Sequence, residues 1–193
     1  MDERDEKFAR YARYRRTVNK VKDIIWNATK FARKAVLKIT GIGGVQVYEG
    51  SLDIRIKRND SWYDFGCVGH KVITTAFAEF VVDQLIAESS AFGDFRYHDI
   101  GTDGTAESAA DTALKAPVEA RTAGSQVEDS SKVYKSIADI SITADRAIKE
   151  HGIFNHATRG SGTLMDRTVF ATINLVNGDI FEAIYKLTVS DNT

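Results

Sequence analysis

Two β-rich runs near the C-terminus, Thr163 to Asn174 and Ile180 to Val189, are separated by Asn177-Gly178-Asp179. Branched and aromatic residues dominate both runs, and such side chains fit a half-buried pleated surface. The Asn-Gly pair tolerates the positive φ of a tight turn. The pattern predicts a C-terminal antiparallel hairpin and, with it, a body built from sheets. Earlier segments repeat the signal. Val45 to Tyr48 and Leu52 to Lys57 alternate apolar and polar residues, Asn59-Asp60-Ser61 turns the chain, and Trp62 to Val68 returns as a partner strand. Val72 and Ile73 continue extended. Thr74 or Thr75 then caps a helix with apolar positions at Phe77, Phe80, Val81, Leu85 and Ile86. Phe95 to Ile100, Val133 to Ile142 and Ala147 to Phe154 read as further strands, and Ala106 to Leu114 as a short helix or ordered loop. The polar stretch 122–131 reads as an exposed loop, and Pro117, the only proline, suits a loop or an edge strand. The sum is a mainly β chain: an antiparallel β-sandwich with one packed helix.

The first forty residues follow another rule. Residues 5–38 contain neither Gly nor Pro. Tyr11, Tyr14, Val18, Val21, Ile25, Ala28, Ala32 and Ala35 recur at alternating spacings of three and four, which is one helical stripe. A helix of about 30 residues spans roughly 45 Å, long for a domain of this size. Alanine at three successive stripe positions suits close packing better than a strong coiled coil. Thr40-Gly41-Ile42-Gly43-Gly44 ends the helix as a joint. It follows a helix and lacks the Lys-Ser/Thr of a phosphate loop. The predicted organisation is an N-terminal helical arm, residues 1–40, and a sandwich body, residues 45–193.

The net charge of −1 hides an asymmetry. Residues 1–38 carry twelve Lys/Arg and five Asp/Glu, a net +7, and the rest carries fourteen basic and twenty-two acidic residues, a net −8. A basic arm on an acidic body suits contact with acidic protein surface or with nucleic acid, or is the solvated face of a helix. The candidate arm contacts are Arg13, Arg15, Arg16, Val18, Val21, Ile25, Phe31 and Arg33.

Little in the chain reads as catalysis. Cys67 is the only cysteine, which excludes an intrachain disulfide and a metal cluster built on cysteines; it reads as a buried structural thiol. None of His70, His98, His151 and His156 has metal-ligand spacing. His151 and His156 could meet across a turn. Gly160-Ser161-Gly162 is only part of a nucleophile elbow. Glu150, Asp166 and Arg167 fall on or beside two predicted strands, where a carboxylate–guanidinium pair would lock register or bind a neighbouring subunit. No catalytic residue, cofactor or metal site is predicted. No apolar run approaches the ~18 residues of a membrane helix, and the charged N-terminus does not read as a secretory signal.

Residues 50–190 also carry an ordered set of short motifs. Val72-Ile73-Thr74-Thr75-Ala76 and Val81-Val82-Asp83 come first, followed by Tyr97-His98-Asp99-Ile100-Gly101-Thr102-Asp103-Gly104-Thr105, then Asp111-Thr112-Ala113-Leu114 and Arg121. Tyr134-Lys135-Ser136, Glu150-His151-Gly152-Ile153-Phe154, Gly162 to Phe170, Asn177-Gly178-Asp179 and Tyr185-Lys186-Leu187-Thr188 complete it. In this order they resemble a group of virion structural proteins of tailed bacteriophages. That family usually reads Gly-Thr-Gly where this chain has Gly101-Thr102-Asp103. The resemblance implies a non-enzymatic particle component assembled in a bacterial cytoplasm. It points first to a cement or decoration protein on the capsid shell, with the major capsid protein or other virion proteins as partners and a homo-oligomeric state. Related wording, Glu-x-Gly-Leu/Ile-Phe above all, occurs in tail-fibre and baseplate proteins. A tail, baseplate or head–tail joining protein is therefore the alternative, and a nucleic-acid-binding protein using the basic arm is a further one. The arm lies outside the shared pattern.

Overall fold

The computed structural model describes residues 3–39, 47–70, 72–86 and 95–190. The chain order is α1 (Glu3–Ile39), β1 (Val47–Arg58), β2 (Ser61–His70), β3 (Val72–Ile73), α2 (Thr75–Ile86), β4 (Tyr97–Gly101), β5 (Thr122–Ala123), β6 (Ser125–Ser130), β7 (Val133–Ser141), β8 (Arg146–Phe154), β9 (Leu164–Leu175) and β10 (Ile180–Ser190). The strands form two antiparallel five-stranded sheets, β2-β1-β10-β7-β6 and β3-β9-β8-β4-β5. The mainly β sandwich with a packed helix is thus the observed fold.

Period-two alternation fills the space between the sheets. Leu52, Ile54 and Ile56 of β1 are fully buried, with Phe181 and Ala183 of β10, against Ile148, Phe170 and Ile173 of the other sheet. A second cluster gathers Phe77 of α2, Phe95, Ile153, Met165 and Tyr185. Thr74 is the cap of α2: its hydroxyl accepts the Phe77 N–H at 3.2 Å.

Two expectations about the strands are corrected. First, β9 and β10 are not a hairpin. They belong to different sheets, and residues 176–179 carry the chain across the sandwich. Each strand finds its antiparallel neighbours elsewhere: β9 pairs with β8, and β10 lies between β1 and β7. Gly178 still supplies the positive φ, 91°. The crossing is held by Asp179, which accepts the Val176 N–H at 2.9 Å and the Arg58 Nη2 at 2.6 Å, both charges being buried. The β7–β8 connection crosses as well, and Ile142 bonds both ways with this turn through Gly178 N and Asp179 O, each at 2.9 Å.

Second, the polar stretch 122–131 is not a loop. Most of it forms β5 and β6, and β6 pairs with β7 although all six of its residues are exposed. An edge strand needs backbone pairing on one side only, so apolar alternation does not betray it. Its polar, exposed side chains discourage further pairing at the open edge, while Asp129 is held by Lys135 of β7 and Lys186 of β10. Of the two forms expected for Ala106 to Leu114, the ordered loop is the one observed, without a regular helix. It belongs to the segment 102–121, which folds over the outer face of β8 and β9. The Gly-rich joint at residues 40–44 lies outside the described residues.

The N-terminal helix is longer than the strands beneath it: 37 residues, about 55 Å. Acidic residues occupy its first turn, where the helix dipole favours them. Its first half is part of the sandwich. Phe8, Ala9 and Ala12 belong to the main core, Tyr11 donates to Thr172 O in β9 at 2.6 Å, and Asn19 donates to Phe65 O in β2 at 2.9 Å. The helix therefore closes the side of the sandwich where β2 and β9 meet, and occupies the β2 edge. Of the expected arm, the part through Asn19 is packed on the sandwich body.

Candidate interaction surface

Helix α1 has two working faces. The docked face runs through Phe8, Ala12 and Asn19. On the opposite side Tyr14, Val21, Ile24 and Ile25 are 64%, 51%, 59% and 58% exposed. With about 100° per residue, Tyr14, Val21 and Ile25 fall within about 40° of one another. They make one continuous apolar strip on the side away from the body. Val18, at its border, is half-buried.

Basic side chains flank the strip. Arg13, Lys20 and Lys22 are exposed, and Arg15 is half-buried. Arg16 is exposed but reaches back to Asp64 of β2 at 3.2 Å, so it helps to dock the helix. The side chains of Phe31 and Arg33 lie outside the described residues. Of the predicted arm contacts, Arg13, Val21 and Ile25 share the outward side, joined by Tyr14 and Ile24. Two helices of this kind laid face to face would bring like charges together along both flanks. An acidic, partly apolar surface is the better match.

The predicted pair in the body takes a different form from its sequence order. Arg167 Nε donates to Glu150 Oε2 at 2.6 Å, with both side chains almost fully buried. Arg167 also reaches Asp103 at 3.1 Å, Asp111 at 3.2 Å and the Thr105 carbonyl at 3.2 Å. Glu150 in turn accepts the backbone N–H groups of Lys115 and Ala116. This network fastens segment 102–121 to β8 and β9. Asp103 is not among the described residues with positive φ, and its carboxylate is bonded by Thr105 and Arg167. Asp166 does not join Glu150. It points to the inner side, near the Tyr185 hydroxyl, which donates to Met165 Sδ at 3.3 Å; burial, then the Asp166 charge, push the Tyr185 phenol well above its ordinary range.

Two arrangements missed by sequence reasoning resemble catalytic groups. His98 bonds Ser136 Oγ through Nε2 at 2.8 Å and His151 through Nδ1 at 2.9 Å. That is the connectivity of a nucleophile, a base and an orienting group. All three side chains are fully buried between the sheets, so solvent and substrate do not reach the hydroxyl. His151 therefore meets His98, while His156 accepts the Thr158 N–H. The second arrangement joins Asp23 of α1 to Cys67 and His70 of β2, the one described set of His, Cys and acidic side chains close enough to hold a metal ion. Cys67 is half-buried at the sheet edge, not a core thiol. Arginines also organise the loop at 155–163: Asp99 is bonded by Arg121 and Arg159, and Arg121 donates to the carbonyls of His156, Thr158 and Ser161.

Among the described residues, no helix is long and apolar enough to cross a membrane. Compared with known proteins, the chain matches no family model, no curated protein and no solved structure.

Proposed function

We propose that this chain is a structural component of a tailed-phage virion, a cement or decoration protein that reinforces the capsid shell through subunit contacts. The observation that carries the reading is the outward strip of α1, Tyr14, Val21, Ile24 and Ile25, edged by basic side chains and held rigidly by the opposite face of the same helix. Scattered apolar residues on a surface need no explanation, but a continuous strip on one helix does. Burying one Val or Ile side chain contributes about 1.5–3 kcal/mol, and the flanking charges orient the contact. The phage-like motifs of the body supply the class of particle. They support the reading because the same residues build the observed sandwich: Glu150 and Arg167 fasten a loop, Gly152 admits Leu114, and Phe154 packs beneath Arg121.

The test uses purified protein and shells of the phage that carries its gene. Full-length chain should co-sediment with shells up to a copy number on the scale of the whole shell. The double variant Val21→Asp/Ile25→Asp should lose that binding with an unchanged melting temperature. Saturation at the copy number of a single ring would favour a tail or head–tail joining role. Binding to DNA in place of shells, falling steeply with salt, would replace the proposal by a nucleic-acid role for the arm.

A further inference from the structure

We infer that Asp23, Cys67 and His70 form a site for a divalent transition-metal ion, Zn2+ foremost, that clamps helix α1 to the edge of β2. The ligand atoms converge. His70 Nε2 lies 2.7 Å from Asp23 Oδ1 and 3.9 Å from Cys67 Sγ, and all three ligand atoms lie within 4.8 Å of one another.

The convergence has a cause in the strand. Residues three apart normally point to opposite faces of a sheet. Here the register passes from Leu52↔Gly69 to Asp53↔Cys67, so Val68 is an extra residue in β2. This bulge turns Cys67 to the same face as His70. The inner face of β1 is that of Leu52 and Ile54, so the donors sit on the outer face, beside Asp53. One helical element then lowers Asp23 onto them. Trp26, one turn further along α1, stacks on the His70 ring at 4.9 Å and 4°, which fixes the plane of the imidazole.

The geometry separates a metal site from a thiol-protease relay. In a relay the thiol and the carboxylate use different nitrogens of the histidine. Here both Asp23 and Cys67 address Nε2, so the three groups point at one place instead of forming a chain. Zinc distances of about 2.3 Å to sulfur and about 2.0–2.1 Å to nitrogen put those two atoms roughly 3.6 Å apart at a tetrahedral angle. The Cys67–His70 separation of 3.9 Å already suits this. Asp23 must withdraw from its present hydrogen bond by roughly half an ångström to reach ligand spacing. Its side chain is 39% exposed and has the room. A mixed sulfur, nitrogen and oxygen set favours Zn2+ over Ca2+ or Mg2+, which take oxygen ligands. The partial exposure of the group leaves the fourth position to water. On binding, the Cys67 thiol releases its proton to solvent and His70 keeps its remaining proton on Nδ1, so affinity rises with pH.

The experiment uses the untagged full-length chain, with Co2+ as a spectroscopic probe and Zn2+ in calorimetric titration. The expected result is one ion per chain, a thiolate-to-cobalt charge-transfer band, and a melting temperature raised by Zn2+. Cys67→Ser should abolish the band, and Cys67→Ser and His70→Gln should each weaken Zn2+ binding by more than about tenfold, at least the loss seen for weaker supporting contacts. Cys67→Ser is nearly isosteric and decides the question alone if His70→Gln misfolds. Absence of the band in the wild type, or wild-type Zn2+ affinity in Cys67→Ser, would overturn the inference.

Discussion

Along β8 the five residues from Glu150 to Phe154 divide their work by alternation. Glu150 and Phe154 face segment 102–121, and His151 and Ile153 face the sandwich interior. Gly152 stands between the outer pair because a Cβ there would lie 2.9 Å from Leu114 and 3.0 Å from Leu164. The inward histidines carry a consequence for pH. Burial lowers the pKa of His98 from 6.5 to about 3, so the folded chain holds it neutral. The unfolded chain binds a proton there near pH 6.5. Between these values the unfolded state holds more protons, so this contribution is fully present above about pH 6.5 and is lost as pH falls toward 3. The slope for one such group is about 1.4 kcal/mol per pH unit. Urea denaturation between pH 6 and pH 4.5 should contain this contribution, so His98→Gln should reduce the slope of stability against pH by about that amount. An equal slope in both proteins would show that His98 titrates normally.

Helix α1 shows at the scale of one element why a sequence pattern names a helix more readily than its buried face. The most apolar stripe, through Tyr14, Val21 and Ile25, is the exposed one. The docked face is mixed: Asp5, Phe8, Ala9, Ala12 and Asn19, with Asp5 bonded by Asn59 and Asn19 bonded to β2. Small and polar side chains there let the helix approach two strand edges and satisfy their carbonyls. Phe8→Ala should therefore cost about 3–5 kcal/mol, since Phe8 packs edge-on against Tyr63 at 5.2 Å and lies under the Arg58 guanidinium at 3.9 Å. Val21→Asp/Ile25→Asp should change stability by less than about 0.5 kcal/mol per site. Chemical denaturation of the two proteins separates the faces; equal losses would mean that the exposed strip packs on the body. Other elements were legible because their signals are local. Of the two threonines the spacing offers as the cap of α2, Thr74 is the one that serves, and Asn59 and Asp60, with φ of 47° and 60°, make the turn between β1 and β2. The interfaces were not legible. Alternation says which residues share a face, but nothing local says which strand lies alongside. A turn at Gly178 therefore serves a crossing between sheets as well as it would serve a hairpin. The Asp23, Cys67 and His70 group was hidden for the same reason: a bulge and a docked helix bring it together.

At the scale of the whole molecule, two open sheets must manage four edges. The far edge of one sheet, β6, is short and polar. The near edge of that sheet, β2, is long and carries Tyr63 and Phe65 into the core. An uncovered strand of this kind pairs with other chains. Helix α1 prevents this by seating Phe8 against both rings and Asn19 on the Phe65 carbonyl. The helix is thus a wall of the sandwich along its first half and a presenting surface along its outer face. Removing residues 1–44 should leave a chain that is not a well-behaved monomeric body. It would expose the aromatic side of the core and the β2 edge together, and should self-associate or melt far below the full chain in sedimentation and thermal unfolding. Removal of residues 27–44 alone, with residue 26 joined to residue 45 through a flexible linker, keeps the wall and should stay folded. If the chain starting at residue 45 sediments as a monomer with the melting temperature of the full protein, then α1 is an appendage, and the division of labour between its two faces is wrong.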